Sequence, residues 1–297
     1  MYLFDNDLTV GEPMEVGGLT VFPLLGVTTD APPYLTGPEA FELGLLTVHE
    51  LDPPQVPFLV VTNLAEVPVL LVEGEMLVGG DQNRTMNVTV LCPPHADLTV
   101  PVSCVEAGRW GSRRAMSPTA RIAPGSLRAA KTARLRDRTP DVTARQSDQG
   151  RVWAEVDRQS ELHGVASGTS ALDDVQEAIE GRLVGQLDRV AALEHQVGLV
   201  CTIGDRVVGL DLFDRRATLE RYLRPIVAGH ALDAPATATG GGLAAVERFL
   251  AQVGVAGVGT GAGVGLGEEL LLRGDVAGVG LAYDGRVVHL AAFPVPA

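Results

Sequence analysis

Short apolar runs separated by polar and turn-forming residues dominate the first hundred positions of the chain. The runs are rich in Leu and β-branched residues, and clusters of Pro, Gly, Asn and Asp lie between them. This pattern predicts strands that pack as a β-sandwich or as a strongly bent sheet. The predicted strands cover residues 19–25, 44–49, 58–63, 67–72, 86–91 and 98–103.

The apolar periodicity fades after residue 110, where Arg, Ser, Thr and Pro become dominant. We interpret residues 111–150 as an Arg-rich connection, in which residues 126–136 fit a short amphipathic helix capped by Ser126. This connection would join a β-rich part, residues 1–110, to an α+β part, residues 151–297. One integrated domain is the alternative to separate parts.

Helical periodicity returns in the second half of the chain. Ser170 is a suitable N-cap for a helix that continues to about residues 195–198, because apolar residues recur every three or four positions. Residues 218–228 and 243–253 fit two further helices.

Two similar stretches, residues 198–213 and 278–293, flank these two helices. Each has an apolar strand, a Gly-Asp or Asp-Gly turn and a second apolar strand, which predicts a β-hairpin. The expected arrangement is a hairpin–helix–helix–hairpin layer with one mixed sheet. The glycine-rich residues 254–267 between them fit a flexible connector, and a phosphate-binding loop is the less favoured alternative. The predicted class is therefore α+β, with an N-terminal β-rich, sandwich-like part followed by a mixed hairpin–helix layer.

Charge narrows the classes of partner. The net charge is −14 and the pI is about 4.8, which argues against nucleic acid or an anionic membrane as the partner of the whole chain. Residues 109–151 nevertheless carry eleven basic side chains against three aspartates. Such a basic band could hold a small anionic ligand or an acidic protein partner. The alternative is a solvated Arg-rich surface, because long arginine side chains often cover apolar surface.

The N-terminal residues lack the features of a signal peptide, and no apolar run is long enough for a membrane span. Three cysteines without a CxxC pair fit free thiols in a reducing compartment. The sequence therefore predicts a cytoplasmic protein.

Residues 73–110 are unusually dense in polar groups that a sheet rarely buries. Glu73 and Glu75 are two residues apart, so their side chains would share one face of an extended strand. Carboxylates can serve as a general base or as Mg²⁺ ligands, and guanidinium groups can hold a phosphate. The predicted catalytic residues are Glu73, Glu75 and Glu106, and the predicted ligand-binding residues are Gln82, Asn83, Arg84, Arg109 and Trp110.

Each of these residues also has a structural interpretation. Arg84 and Glu106 could form one buried ion pair. Trp110 could be a core residue or a platform for a stacked ring. Cys104 and His289 fit core positions better than catalytic ones. The histidines and cysteines show no zinc-ligand spacing.

The same segment resembles a known family. Its motifs are Gly-Glu at 74–75, Gly-Gly at 79–80, Gln-Asn-Arg at 82–84, Pro-Val-Ser-Cys at 101–104 and Gly-Arg-Trp at 108–110. They are similar to those of the ARG-and-rhodanese-phosphatase-associated protein domain. The name of this family reflects an association with ADP-ribosylglycohydrolase-type proteins. The resemblance therefore implies a role in NAD or ADP-ribose metabolism.

Two functional hypotheses follow. In the first, the protein binds a nucleotide-type ligand, such as an NAD or ADP-ribose derivative, and the three glutamates are the candidate groups for its hydrolysis. In the second, it is a non-catalytic scaffold or interaction protein whose polar motifs are structural. An open cleft lined by the motif residues favours the first hypothesis, and a dry, fully paired network favours the second.

Overall fold

The computed structural model describes residues 8–27, 32–111, 114–135, 145–235, 238 and 240–295. In chain order, its strands are β1 (Thr9–Val10), β2 (Met14–Val16), β3 (Leu19–Leu25), β4 (Leu35–Thr36), β5 (Leu46–His49), β6 (Phe58–Asn63), β7 (Val69–Leu71), β8 (Glu75–Gly80), β9 (Arg84–Met86), β10 (Val90–Cys92), β11 (Ala96–Cys104), β12 (Arg114–Ile122), β13 (Gln196–Ile203), β14 (Arg206–Phe213), β15 (Gly257–Ala262), β16 (Glu268–Arg273), β17 (Val276–Tyr283) and β18 (Arg286–Pro294). Its helices are α1 (Gly37–Glu42), α2 (Gly125–Leu135), α3 (Gln149–His163), α4 (Leu172–Leu187), α5 (Arg216–Ala231) and α6 (Leu243–Val255). Across the described ranges, none of these helices has both the length and the apolar character needed to cross a membrane.

Six strands close into a barrel in the order β11-β6-β5-β12-β8-β9. Alternate residues of β6 are buried, so that Leu59 and Val61 join the barrel core together with Val100 and Val102 of β11. This period of two is what the apolar alternation of the sequence predicts. The α+β class is confirmed, and the β-rich part takes the strongly bent form of the two forms expected.

A nine-stranded sheet carries both predicted hairpins. Its order is β1-β3-β13-β14-β18-β17-β16-β15, with β2 paired to β3. The hairpins β13–β14 and β17–β18 lie side by side because β14 pairs with β18. The expectation of a mixed sheet is wrong, since every described pair in this sheet is antiparallel.

Helices cover both faces of this sheet. Leu199 and Cys201 of β13 share a core cluster with Tyr222 of α5, whereas Val200 between them shares another cluster with Phe249 of α6. Because successive side chains of a strand point to opposite faces, a strand between two helices must be apolar at nearly every position. This explains the continuous apolar runs of the hairpins.

Sequence reasoning placed some elements wrongly. Helix α4 ends at Leu187. Beyond it, the N–H groups of Arg189 and Val190 donate to carbonyl groups three residues back, which forms turns in place of further α-helix. Its N-cap is Ala171, since Ser170 has a left-handed backbone.

Several elements were not recognised from the sequence, among them the short helix α1 and strand β8. Helix α3 has a clear signal in retrospect, with Asp148 as its N-cap and a left-handed Gly164 at its end. Strand β12 was hidden by its register shifts, which disturb the alternation. The glycine-rich connector contains strand β15, which pairs along its whole length with β16, so a wholly flexible connector is wrong.

The predicted division into residues 1–110, 111–150 and 151–297 stays a prediction. Strand β3, from the first of these parts, is hydrogen-bonded to β13 of the last.

Candidate functional site

Glu73 lies in the turn between β7 and β8, where Gly74 has a left-handed backbone with φ of 86°. The side chain is fully buried. Its Oε2 accepts a hydrogen bond from Nε of Arg128 at 2.8 Å, and its Oε1 lies 3.1 Å from Nζ of Lys131. Burial works to raise the pKa of Glu73, but the charges of Arg128 and Lys131 outweigh it and hold the pKa below its ordinary value. Glu73 is therefore a carboxylate held between two basic side chains of α2.

Arg128 links this turn to the large sheet. Its Nη2 and Nη1 donate to the two carboxylate oxygens of Asp211 in β14 at 2.6 and 3.0 Å. Nε2 of His289 lies 3.2 Å from the same carboxylate, and Nδ1 of His289 lies 2.7 Å from the hydroxyl of Thr89. All four side chains are buried. His289 is thus a core histidine with a partner on each ring nitrogen.

This network balances its charges, because Arg128 and Lys131 face Glu73 and Asp211. Sequence reasoning missed both basic residues. A signal was present, since Lys131 is the only lysine of the chain and lies three residues from Arg128 in a predicted helix.

Glu75 is the first residue of β8 and has different partners. Its Oε2 accepts hydrogen bonds from the N–H of Val72 and from the hydroxyl of Tyr222, both at 3.0 Å. Burial raises the pKa of Glu75 to about 8. The expectation that Glu73 and Glu75 lie on one face of an extended strand is wrong, because the left-handed Gly74 interrupts the strand between them.

The Gln-Asn-Arg motif forms the tight connection between β8 and β9. Nε2 of Gln82 donates to the carbonyl of Glu106 at 2.8 Å, and the N–H of Asn83 donates to the Glu106 carboxylate at 3.0 Å. Oδ1 of Asn83 accepts from the N–H of Gly79 at 3.0 Å and from Nη2 of Arg109 at 3.0 Å. The Gln-Asn-Arg motif, the first motif, is therefore bound to residues 101–110, which contain the Pro-Val-Ser-Cys and Gly-Arg-Trp motifs and which we call the second motif.

Glu106 and Arg109 form the centre of this contact. Nε and Nη2 of Arg109 donate to the two Glu106 oxygens at 2.8 and 2.6 Å, and the Thr169 hydroxyl donates to the same carboxylate at 2.7 Å. Burial favours a higher pKa for Glu106, but the hydrogen bonds from Arg109 and Thr169 outweigh it and lower the pKa. Arg109 also donates to the carbonyl groups of Gly80 and Gly79. Its guanidinium is thus used to hold the barrel strands.

Arg84 is buried at the same end of the barrel. The expected ion pair between Arg84 and Glu106 is wrong, since the carboxylate nearest to Arg84 is that of Glu50, 3.7 Å from Nη2. Its Nη1 donates to the Gln82 side chain at 3.3 Å, whereas its Nε and Nη2 have no hydrogen-bond partner among the described residues.

Trp110 and Cys104 end the second motif. Trp110 is 61% exposed, so the alternative of a core residue is wrong, and its role as a stacking platform stays a prediction. Cys104 is buried, and its Sγ lies 3.3 Å from the Glu106 carbonyl oxygen. All three cysteines are buried free thiols, as the sequence predicts.

The predicted glutamates do not converge on a common point. Among the described residues, no group of three or more His, Cys, Asp or Glu side chains is arranged to hold a metal ion. The Mg²⁺ considered as a ligand of Glu73, Glu75 and Glu106 stays a prediction, and each carboxyl group has protein donors of its own.

Open space lies elsewhere, along the outer face of α2. A cavity of about 320 Å³ and a larger one of about 790 Å³ share Ala130, Ala133 and Arg151 as lining residues. We call these two adjoining cavities the α2 groove. Its lining includes five basic residues against two acidic ones, namely Lys131, Arg134, Arg151, Arg158 and Arg206 against Asp148 and Asp233.

The arginines of the α2 groove differ in how firmly they are held. Nη2 of Arg158 is bonded to Glu155 and Asp233, at 2.5 and 2.9 Å. Arg151 is 79% exposed, and its nearest carboxylate oxygen, from Asp148, is 3.9 Å from Nε. Arg206 is exposed at the start of β14. The groove therefore combines one fixed guanidinium with others that can reorient.

Most of the chain matches one family. The model described as the ARG and Rhodanese-Phosphatase-superfamily-associated Protein domain (ARPP-1) covers residues 7–293. Searches of curated proteins and of solved structures found no match. The matched range contains the two interlocked motifs and the lining of the α2 groove except Pro294 and Val295. The chain belongs to the ARG and Rhodanese-Phosphatase-superfamily-associated Protein domain family.

Proposed function

We propose that the protein binds a small phosphate-bearing ligand of the nucleotide class, such as an NAD or ADP-ribose derivative, in the α2 groove. The observation that carries the proposal is the larger cavity of about 790 Å³, which has Arg151, Arg158 and Arg206 in its wall. Small-molecule sites commonly measure roughly 300–1,000 Å³. These arginines form a local basic surface on a chain of net charge −14. NAD and ADP-ribose are the ligands that the family resemblance implies.

The chemistry of the wall suits such a ligand. A guanidinium group can donate two parallel hydrogen bonds to two oxygens of one phosphate. It does so best where it is not already bonded to a carboxylate. Arg158 is already bonded to Glu155 and Asp233, so we expect the exposed Arg151 and Arg206 to close on the phosphate. Ala129, Val207 and Val208 add apolar surface for a base or a ribose.

Calorimetric titration with ADP-ribose, NAD, AMP and ribose 5-phosphate tests the proposal. Arg151→Ala should weaken the binding of whichever ligand binds by about tenfold, equivalent to about 1.4 kcal/mol. Arg189→Ala is the matched control, because Arg189 is exposed and lines neither cavity. Absence of binding for all four compounds, or equal binding by the wild type and Arg151→Ala, contradicts the proposal.

The buried pairing of the two motifs favours a second candidate, a structural role for Gln82, Asn83, Arg84, Glu106 and Arg109. These side chains are bonded mainly to one another and to barrel carbonyl groups. A protein that used them only in this way would be a scaffold or interaction domain. The exposed arginines of the groove would then contact an acidic protein partner.

Glu106→Gln separates a structural role from the predicted catalytic role. A structural role predicts a lower unfolding midpoint with unchanged ligand affinity. A catalytic role predicts an unchanged midpoint and loss of hydrolysis. Hydrolysis is measured by chromatography of ADP-ribose or NAD after incubation with the protein.

A further inference from the structure

The α2 groove has basic side chains at both ends. The smaller cavity is lined by Arg134 and Lys131, and the larger by Arg158 and Arg206, while Arg151 lies where the two meet. At the junction, α2 contributes only the small uncharged side chains of Ala130 and Ala133, which line both cavities beside Arg151.

Helix geometry sets the scale of this separation. Arg151 and Arg158 are seven residues apart on α3, which corresponds to roughly 10 Å along the helix axis. Ser126 in the larger cavity and Arg134 in the smaller one are eight residues apart on α2, or roughly 12 Å. Arginines separated on this scale are matched better by two separated anionic groups than by one phosphate group.

The end formed by Arg134 has donor capacity to spare. Nη1 of Arg134 lies 3.4 Å from Oδ2 of Asp148, and both side chains are partly exposed. Nε of Arg134 is buried and has no hydrogen-bond partner among the described residues. The contact of Nη1 with Asp148 is longer than a good hydrogen bond, so an anionic group in the smaller cavity would gain a charge-assisted hydrogen bond from this guanidinium.

We infer that the α2 groove binds an elongated ligand with anionic groups at both ends, of the class of bisphosphorylated sugars and nucleotides. The inference rests on the proposed function and narrows it, because a nucleotide with all its phosphates together would satisfy one end alone. Once one end is bound, the second anionic group meets its arginine at a high effective concentration, which raises the affinity beyond that of either half.

Two probes distinguish the effect of the distance between the anionic groups from the effect of their charge. Methylene bisphosphonate and hexamethylene bisphosphonate carry the same two phosphonate groups, but only the longer one can place them at opposite ends of the groove. We expect the longer probe to bind the wild type about tenfold more tightly or better. Arg134→Ala and Arg206→Ala, which alter opposite ends, should each remove this difference, and Arg189→Ala should keep it.

The outcomes distinguish the inference from the proposed function. Equal or tighter binding of the shorter probe overturns the two-ended groove, and so does failure of both probes when ADP-ribose or AMP binds. Failure of the probes and of every nucleotide overturns the proposed function as well. Unfolding midpoints of the variants, measured in parallel, show whether each is folded.

Discussion

Replacing Glu75 by glutamine should remove the loss of stability that ionisation of this residue causes as the pH rises. Glu75 is fully buried and accepts two hydrogen bonds, from the Val72 amide and the Tyr222 hydroxyl, and it has no basic partner within hydrogen-bond distance among the described residues. Burial raises its pKa from the ordinary value of 4.5 to about 8. The folded protein therefore keeps this carboxyl group protonated at neutral pH.

The direction of the pH effect follows from the raised pKa. Below pH 4.5 the group is protonated in both the folded and the unfolded chain, so its full contribution to stability is present. Between pH 4.5 and about 8 the unfolded chain ionises while the folded chain does not, and stability falls by at most about 1.4 kcal/mol per pH unit. The loss is complete above pH 8, where it reaches about 5 kcal/mol.

Urea unfolding of the wild type and Glu75→Gln at several pH values between 5 and about 8 measures this directly. Glutamine has the same size and can accept the same two hydrogen bonds through its carbonyl oxygen, but it does not titrate. The stability of the variant should therefore rise relative to that of the wild type as the pH increases. The difference should grow by several kcal/mol across the range.

Glu177→Gln is the matched control, because Glu177 is exposed. It should follow the pH dependence of the wild type. Parallel curves for the wild type and Glu75→Gln would refute the reasoning, since they would mean that Glu75 is ionised in the folded protein. Glu75 would then be present as a carboxylate at neutral pH, which is the form that a general base requires.

Three further predictions concern buried groups. Gly125→Ala should lower the free energy of unfolding in urea by about 1–3 kcal/mol, because an added Cβ would overlap Nδ1 of the buried His230. Gly181→Ala is the control, since Gly181 has open space around it in α4, and it should instead stabilise the protein by about 0.5–1 kcal/mol. Equal effects of the two substitutions would argue against the overlap. Glu73→Gln should cost about 3–5 kcal/mol, since Arg128 would lose one of its two buried carboxylates, and a variant as stable as the wild type would show that the network is dispensable. The buried cysteines should react with a thiol reagent only after unfolding, and fast reaction of the native protein would contradict their burial.

Local signals determined how much of the fold could be predicted. The two hairpins and helix α5 were recognised because turn chemistry and apolar periodicity lie within one short stretch, as at the left-handed Gly204 and Gly285 of the turns. Closure of the barrel was not predictable in this way, since it depends on β12 pairing with β8 across register shifts. The alternation that reveals a strand is lost where a bulge adds a residue.

The candidate site shows a different limit. Glutamate, arginine and amide groups serve equally well in a ligand pocket and in a buried network, so residue type alone could not separate the two hypotheses. The deciding partners lie far away in the sequence: Arg128 is 55 residues from Glu73, Thr169 is 63 residues from Glu106, and Tyr222 is 147 residues from Glu75. The arginines of the α2 groove belong to no motif. The basic stretch of residues 109–151 includes Arg134 and Arg151, whereas Arg158 and Arg206 lie outside it and reach the groove only through the fold. Charge distribution therefore pointed to one side of the open groove, while the motifs pointed to internal connections of the molecule.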